Sequence, residues 1–243
     1  MKRYIYKQLL AWKNEKEHKP LILNGARQVG KTYILREFGR NEYKRMAFFS
    51  LDRDQKALEI FNKGGRATDM LMALSAICHE DITPHDTLVV LDEIQNCPKA
   101  LEALKFFCEE TPEIDIVVAG SLLGLSIHSG VSYPVGKVEE LHLYPMTFLE
   151  FLEAMGKTQL VNLLENKNWT VINMLETELI SSLRQYYYVG GMPAAVLAHI
   201  EKKGWKEVRR IQQQIITDYR RDFSKHAPTR EIPRINMVWD SIP

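Results

Sequence analysis

Nowhere in this 243-residue sequence do about 18 apolar residues run together, which excludes a membrane-spanning helix. The basic start Met1-Lys2-Arg3 is not followed by the unbroken apolar stretch of a secretion signal. Net charge is nearly absent: 32 Lys+Arg against 31 Asp+Glu leave +1, so nothing draws the whole molecule to nucleic acid or to an anionic membrane, and any basic site must be local. Cysteine is scarce and odd in number. Cys78, Cys97 and Cys108 form no Cys-x-x-Cys pair, which argues against a disulfide framework; they read as reduced, buried thiols of a cytoplasmic protein. His79, His85 and His128 lack metal-ligand spacing. No internal repeat or low-complexity tract is visible. What remains is an ordinary soluble composition, 45% hydrophobic and able to build a large core. The length suits one large domain, or a domain of about 150 residues with an appendage of about 90, and two units are expected.

Apolar residues at helical spacing over Tyr4 to Trp12 predict an opening helix. Pro20 to Asn24 is then a short apolar run, and after an interruption from Gly25 to Gly30 the helical period resumes at Lys31 and continues to Phe38. Runs suited to buried parallel strands recur at Met46 to Leu51, Leu88 to Leu91, Ile114 to Ala119 and Val138 to Leu143. Helical patterns at Asp54 to Asn62, Asp69 to His79 and Pro98 to Glu110 separate most of them. This alternation predicts an α/β fold: a mainly parallel five-stranded sheet flanked by helices. Beyond about Thr147 the strand signal stops. Amphipathic helices are expected near Phe148 to Met155, Leu175 to Tyr188, Pro193 to Glu201 and Trp205 to Phe223. The expected organisation is a core over residues 1–150, a smaller helical domain over 151–225, and over 226–243 the start of a linker or of a further domain. The prolines of that last stretch and its want of a terminating helix suggest the front part of a longer protein.

The strongest motif is Gly25-Ala26-Arg27-Gln28-Val29-Gly30-Lys31-Thr32, a full match to G-x-x-x-x-G-K-[ST] between a predicted strand and a predicted helix. Glycines let the backbone curl around phosphates with its N–H groups inward, and the positive end of the helix dipole adds to the attraction. Lys31 is expected on the β- and γ-phosphates, Thr32 on Mg²⁺, and Tyr33 beside them at the helix start. Leu88-Val89-Val90-Leu91 then ends in Asp92-Glu93. A buried strand has no use for adjacent acids, so both belong at its carboxyl end, where parallel sheets bind ligands. Asp92 is expected to hold Mg²⁺, and Glu93 to orient and deprotonate the attacking water; as a water-activating acid Glu93 favours hydrolysis over transfer to a small-molecule acceptor. Gly120-Ser121, at the tip of another strand, reads either as a turn or as a hydroxyl that senses the γ-phosphate.

With these residues in place the sequence resembles the prokaryotic AAA-like branch of the additional-strand P-loop ATPases. The resemblance rests on the loop above, Leu91-Asp92-Glu93-Ile94-Gln95, Gly120-Ser121, Pro134-Val135-Gly136-Lys137, Leu143 to Phe151, and Tyr188-Val189-Gly190-Gly191-Met192-Pro193. It implies that the strand ending at Gly120 is inserted between the phosphate-loop strand and the Asp92 strand, bringing Ser121 to the γ-phosphate. It implies a base contact at Pro193 within Gly191-Met192-Pro193, a segment that also reads as a helix stop followed by a helix start. Relatives often carry a cation where Lys137 stands, although lysine cannot fork onto two phosphate oxygens. Arg27 is another candidate cation, or pairs with an acid. The segment Gln214 to Lys225, with Tyr219, Asp222 and Lys225, resembles the junction to a C-terminal domain.

Tyr186-Tyr187-Tyr188 reads as core filling or as a base-stacking platform. The basic helix bearing Arg209, Arg210, Arg220, Arg221 and Lys225 reads as a solvated face or as a partner surface. The expected function is ATP binding with Mg²⁺ and hydrolysis that moves the helical domain or a C-terminal effector; the alternative is a nucleotide-gated switch with negligible turnover. ATP and ADP are the expected ligands, and the expected target is a protein partner or the chain's own C-terminal domain. Nucleic acid is an open alternative and a membrane is not expected.

Overall fold

Leu21–Gly25 (β1) and Thr87–Asp92 (β3) are buried along their whole length, and Asp115–Ser121 (β4) buries Ile116 to Ala119. Covered on both faces, such strands need continuous apolar sequence rather than alternation. The computed structural model describes residues 1–121, 133–226 and 230–242. Its chain divides into two contact units, one of residues 5–26 and 30–143, the other of residues 1–4, 27–29 and 144–243.

The first unit holds an all-parallel five-stranded sheet in the order β2-β3-β4-β1-β5, with Arg45–Ser50 as β2 and Glu139–Leu143 as β5. The strand ending in Gly120-Ser121 therefore lies between β1 and β3, as the resemblance implies. The edge strands differ from the centre. In β5 only Leu143 is buried, and Glu139 and Glu140 keep that edge charged, so the stretch read as a buried strand is a half-exposed edge. Helices α3 (Gln55–Lys63), α4 (Ala67–Cys78) and α5 (Pro98–Glu110) bury Phe61, Leu74 and Phe107 in one apolar cluster with Phe49, Leu91 and Val118. Full burial of each such side chain contributes about 1.5–3 kcal/mol. Helices α1 (Ile5–Asn14) and α2 (Lys31–Glu42) bury Leu9, Trp12, Ile34, Leu35 and Phe38. Gly39 lets α2 approach the sheet, since a Cβ there would meet Met46 Sδ at 2.4 Å. Of the cysteines only Cys97 is buried; Cys78 and Cys108 are half-exposed, because each occupies the margin of its helix rather than the apolar face.

The second unit contains α6 (Phe148–Ala154), α7 (Thr158–Glu165), α8 (Trp169–Met174), α9 (Glu176–Val189), α10 (Pro193–Ile200), α11 (Trp205–His226) and α12 (Ile232–Asp240). A reciprocal capping box, Thr147 with Glu150, opens α6. Met146, Phe151, Val189, Ala195, Val196 and Val208 form the core. The chain from 156 to 174, within the expected helical domain but with no helix assigned by periodicity, forms α7 and α8; Asn168 accepts from the Val171 amide and starts the latter despite its β-branched residues. The terminal stretch, expected without a helix, forms α12, because Pro233 falls in the first turn, where its missing N–H is not needed. Among the described residues no helix is long and apolar enough to cross a membrane. His128 lies outside the described residues, as do the side chains of Ser121 and Lys225.

Candidate functional site

β1 ends at Gly25 and α2 begins at Lys31. Between them Gly30 takes φ 98°, a left-handed conformation that glycine adopts without strain, and its carbonyl accepts the Ile34 amide at 3.0 Å to start the helix. Lys31 is 9% exposed, and its ammonium donates to the carbonyls of Gly25 and Ala26, each at 2.8 Å. Thr32 Oγ1 donates to Asp92 Oδ2 at 2.7 Å, which joins the first turn of α2 to the last residue of β3. Ser121 stands opposite Gly25 in the β1–β4 register, so the tips of β3, β4 and β1 lie side by side at one edge of the sheet.

Asp92 is buried, and that burial pushes its carboxyl above the usual carboxylate range, against the hydrogen bond from Thr32; the neighbouring Glu93 charge pushes the same way as burial. A hydroxyl and a buried carboxylate in contact are hard oxygen ligands of the kind that suits Mg²⁺. Glu93 takes φ 57°, rare for a residue with a side chain, and opens the short 3₁₀ turn Ile94–Asn96. Its amide donates to Asp92 Oδ1 at 3.1 Å, while the buried Gln95 donates from Nε2 to its carboxylate. Gln95 stands in the stretch that carries the resemblance, but only the left-handed turn at Glu93 brings it to that carboxylate. Asn24, just before the loop, is also buried and donates to Glu140 Oε2 at 2.8 Å; sequence reasoning assigned it no part.

Gly25, Ala26, Lys31, Thr32, Asp92 and Glu93 thus lie together. Tyr33 is 56% exposed on the surface of α2. Arg27, Gln28 and Val29 cluster with the helical unit, where Arg27 pairs with Asp222 at 2.5 Å. Pro193 starts α10 in that unit. Before it Gly191 fits tightly: its carbonyl accepts the Met146 amide at 2.7 Å, and a Cβ would sit 2.3 Å from the Met146 carbonyl oxygen. Lys137 pairs with Glu109 at 2.9 Å. Tyr186 fills core and donates to the Met146 carbonyl, whereas Tyr187 is largely exposed. On α11, Arg210 pairs with Glu207, Arg220 with Asp240, and Arg209 lies over the Tyr188 ring.

This fold and loop define a P-loop domain with a strand inserted between the loop strand and the acid-bearing strand. The chain belongs to the AAA domain family, whose model matches residues 17–152. Residues 180–243 match a domain of unknown function (DUF8612). The Walker-type ATPase of Pyrococcus abyssi is similar in structure, with TM-score 0.56 and 16% identity over 93% of this chain and 76% of that one. The Drosophila ORC in a DNA-bound structure gives TM-score 0.49 at 15% identity over 87% and 66% of the two chains. Cdc6p from Pyrobaculum aerophilum gives 0.41 at 16% over 65% and 50%. At these identities the likeness concerns the fold alone. No curated protein sequence matches the chain.

Proposed function

We propose that this AAA domain binds ATP with Mg²⁺ between Gly25 and Thr32 and hydrolyses it. The reading is carried by one observation, the 2.7 Å contact of Thr32 Oγ1 with Asp92 Oδ2, which joins the phosphate-loop helix to an acid 60 residues away. Backbone amides of Gly25 to Thr32 would receive the phosphates, Lys31 would turn from the carbonyls it now contacts to the β- and γ-phosphates, and Tyr33 would flank them. Mg²⁺, held by Thr32 and Asp92, would neutralise phosphate charge. Glu93, oriented by Gln95, would position the attacking water and take its proton, with Ser121 at the γ-phosphate and Pro193 against the base. Residues 1–150 would form the catalytic core, and the nucleotide state would bias the helical domain of residues 151–225 and the segment from residue 226 onward, with a protein partner as target. The ion pairs of Arg210 and Arg220 support a solvated rather than a nucleic-acid-binding face of α11.

One observation favours a second reading, a nucleotide-gated switch with slow turnover: the Glu93 carboxylate already accepts from Gln95, a donor standing where the attacking water would have to bind. Single-turnover hydrolysis decides between them. Wild type is expected to release phosphate at least about a hundredfold faster than Glu93→Gln, as loss of a general base costs. Equal rates leave the switch. Lys31→Ala is expected to weaken ATP binding by about a hundredfold or more, the loss of two charge-assisted hydrogen bonds, with the fold intact. Unchanged affinity in calorimetry overturns the site itself.

A further inference from the structure

The middle of the phosphate loop is not left to solvent. The Tyr219 hydroxyl donates to the Arg27 carbonyl at 2.8 Å, and Arg3 Nη1 donates to the Val29 carbonyl at 2.9 Å. Between these two, Gln28 Nε2 donates to Asp218 Oδ2 at 3.0 Å, and the Arg27 guanidinium pairs with the buried Asp222 carboxylate. Asp218 and Asp222 are four residues apart, so they stand on one face of α11 with Tyr219 beside them. Asp218 is itself braced, accepting from Gln214 Nε2 at 2.8 Å through its other oxygen. Arg3 is braced as well: it is buried, donates to Glu150 Oε1 at 3.1 Å and also donates to the Tyr144 carbonyl.

Peptide geometry gives these contacts a direction. In a trans peptide the carbonyl of one residue and the amide of the next point to opposite sides, and no cis peptide occurs among the described residues. Fixing the Arg27 carbonyl toward Tyr219 therefore fixes the Gln28 N–H away from it, and fixing the Val29 carbonyl toward Arg3 does the same for the Gly30 N–H. Amides of a phosphate loop must point together into one concavity before an anion arrives. Gln28 also holds φ 63°, a strained conformation for a residue with a side chain, and it is the residue that Asp218 grips.

We propose that Tyr219, Asp218 and Asp222, with Arg3, are positioning residues that hold the loop tip in its anion-receptive form, so that α11 sets part of the affinity for nucleotide. This rests on the nucleotide site proposed above and adds how that site is regulated. It gives a role to part of the segment that matches a domain of unknown function. α11 is in turn tied to α12, through Tyr219 stacked on Trp239 and Arg220 paired with Asp240. By linkage, whatever displaces α11 weakens ATP binding, and ATP binding orders α11 by the same factor.

The test uses the full chain with Tyr219→Phe, which removes one hydroxyl and little else, and with Asp218→Asn/Asp222→Asn. Loss of one net hydrogen bond predicts Mg·ATP affinity about fivefold weaker in Tyr219→Phe, and the double variant falls about tenfold or more. KM rises by similar factors while kcat stays within about twofold, since the loop tip is ordered equally in ground and transition states. Amide exchange in α11 slows on adding Mg·ATP to wild type, and less so in Tyr219→Phe. A merely structural role would lower the melting temperature and leave KM in place, and that result overturns the inference. If wild type binds ATP, Lys31→Ala does not and Tyr219→Phe equals wild type, the positioning role falls while the site stands. If wild type binds no ATP, the site falls first and takes the positioning role with it.

Discussion

A glycine shortly before a proline ordinarily marks the end of one helix and the start of the next, and Gly191-Met192-Pro193 reads that way. The structure adds a second constraint at Gly191, where the backbone of Met146 passes so close that any side chain must displace it. The backbone is the obstacle, so no rotamer change relieves the clash. Gly191→Ala is therefore expected to destabilise the helical unit by about 2–4 kcal/mol, in the range of severe overpacking. Urea unfolding followed by the fluorescence of Trp169 and Trp205 measures it; a loss below about 0.5 kcal/mol means that Met146 yields freely. Legibility at this scale was uneven. Lys31, Thr32 and Asp92 declare their chemistry by type and spacing, and the structure joins them. Gln95, Asn24 and Arg3 do not, because their partners depend on a left-handed residue at 93, on an adjacent edge strand and on a helix cap 147 positions away.

Elements were read best where one physical signal dominates. Central strands with continuous apolar runs and helices with a clear 3.6-residue period fell within a few residues of their observed ends. β5 differed because an apolar run does not say which strand stands at an edge; α8 and α12 were missed because a cap and a proline, not periodicity, start them, and α7 because it spans only eight residues. The connection between α1 and β1 shows what such patterns leave out. His18 Nε2 contacts Asp115 Oδ1 at 2.8 Å, which pins that connection to the first residue of β4. The hydrogen bond to Asp115 raises the His18 pKa above its ordinary value, and burial opposes it. A histidine whose folded pKa is raised stabilises the fold fully below its unfolded value of about 6.5, and the contribution is lost as pH rises through the folded value. Wild type is expected to lose stability across that window, while His18→Gln shows a flatter profile there. Parallel profiles in urea melts at closely spaced pH would refute the assignment.

Across the whole molecule, Gly25, Ala26 and Gly30 to Thr32 belong to the unit that holds the sheet, and Arg27 to Val29 to the unit that holds the C-terminal helices. A single boundary drawn along the chain cannot express such a division, because the spatial neighbours of residues 27 to 29, Tyr219 and Arg3 among them, lie far away in sequence. The strand order also lies beyond periodicity. It was legible only through the resemblance, since spacing alone does not tell which of several parallel strands is inserted next to which. A ligand that needs all eight residues of the loop ordered stabilises the folded chain by mass action. At a hundred times its dissociation constant, Mg·ATP contributes about 2.7 kcal/mol. For a chain of this size that corresponds to about 5–10 °C. Scanning calorimetry of the full chain is expected to show the whole unfolding envelope moving upward with Mg·ATP, both transitions shifting if two are resolved. Should only one transition move, the residues from Arg27 to Val29 take no part in holding the nucleotide, and the phosphate cradle would have to be completed without them.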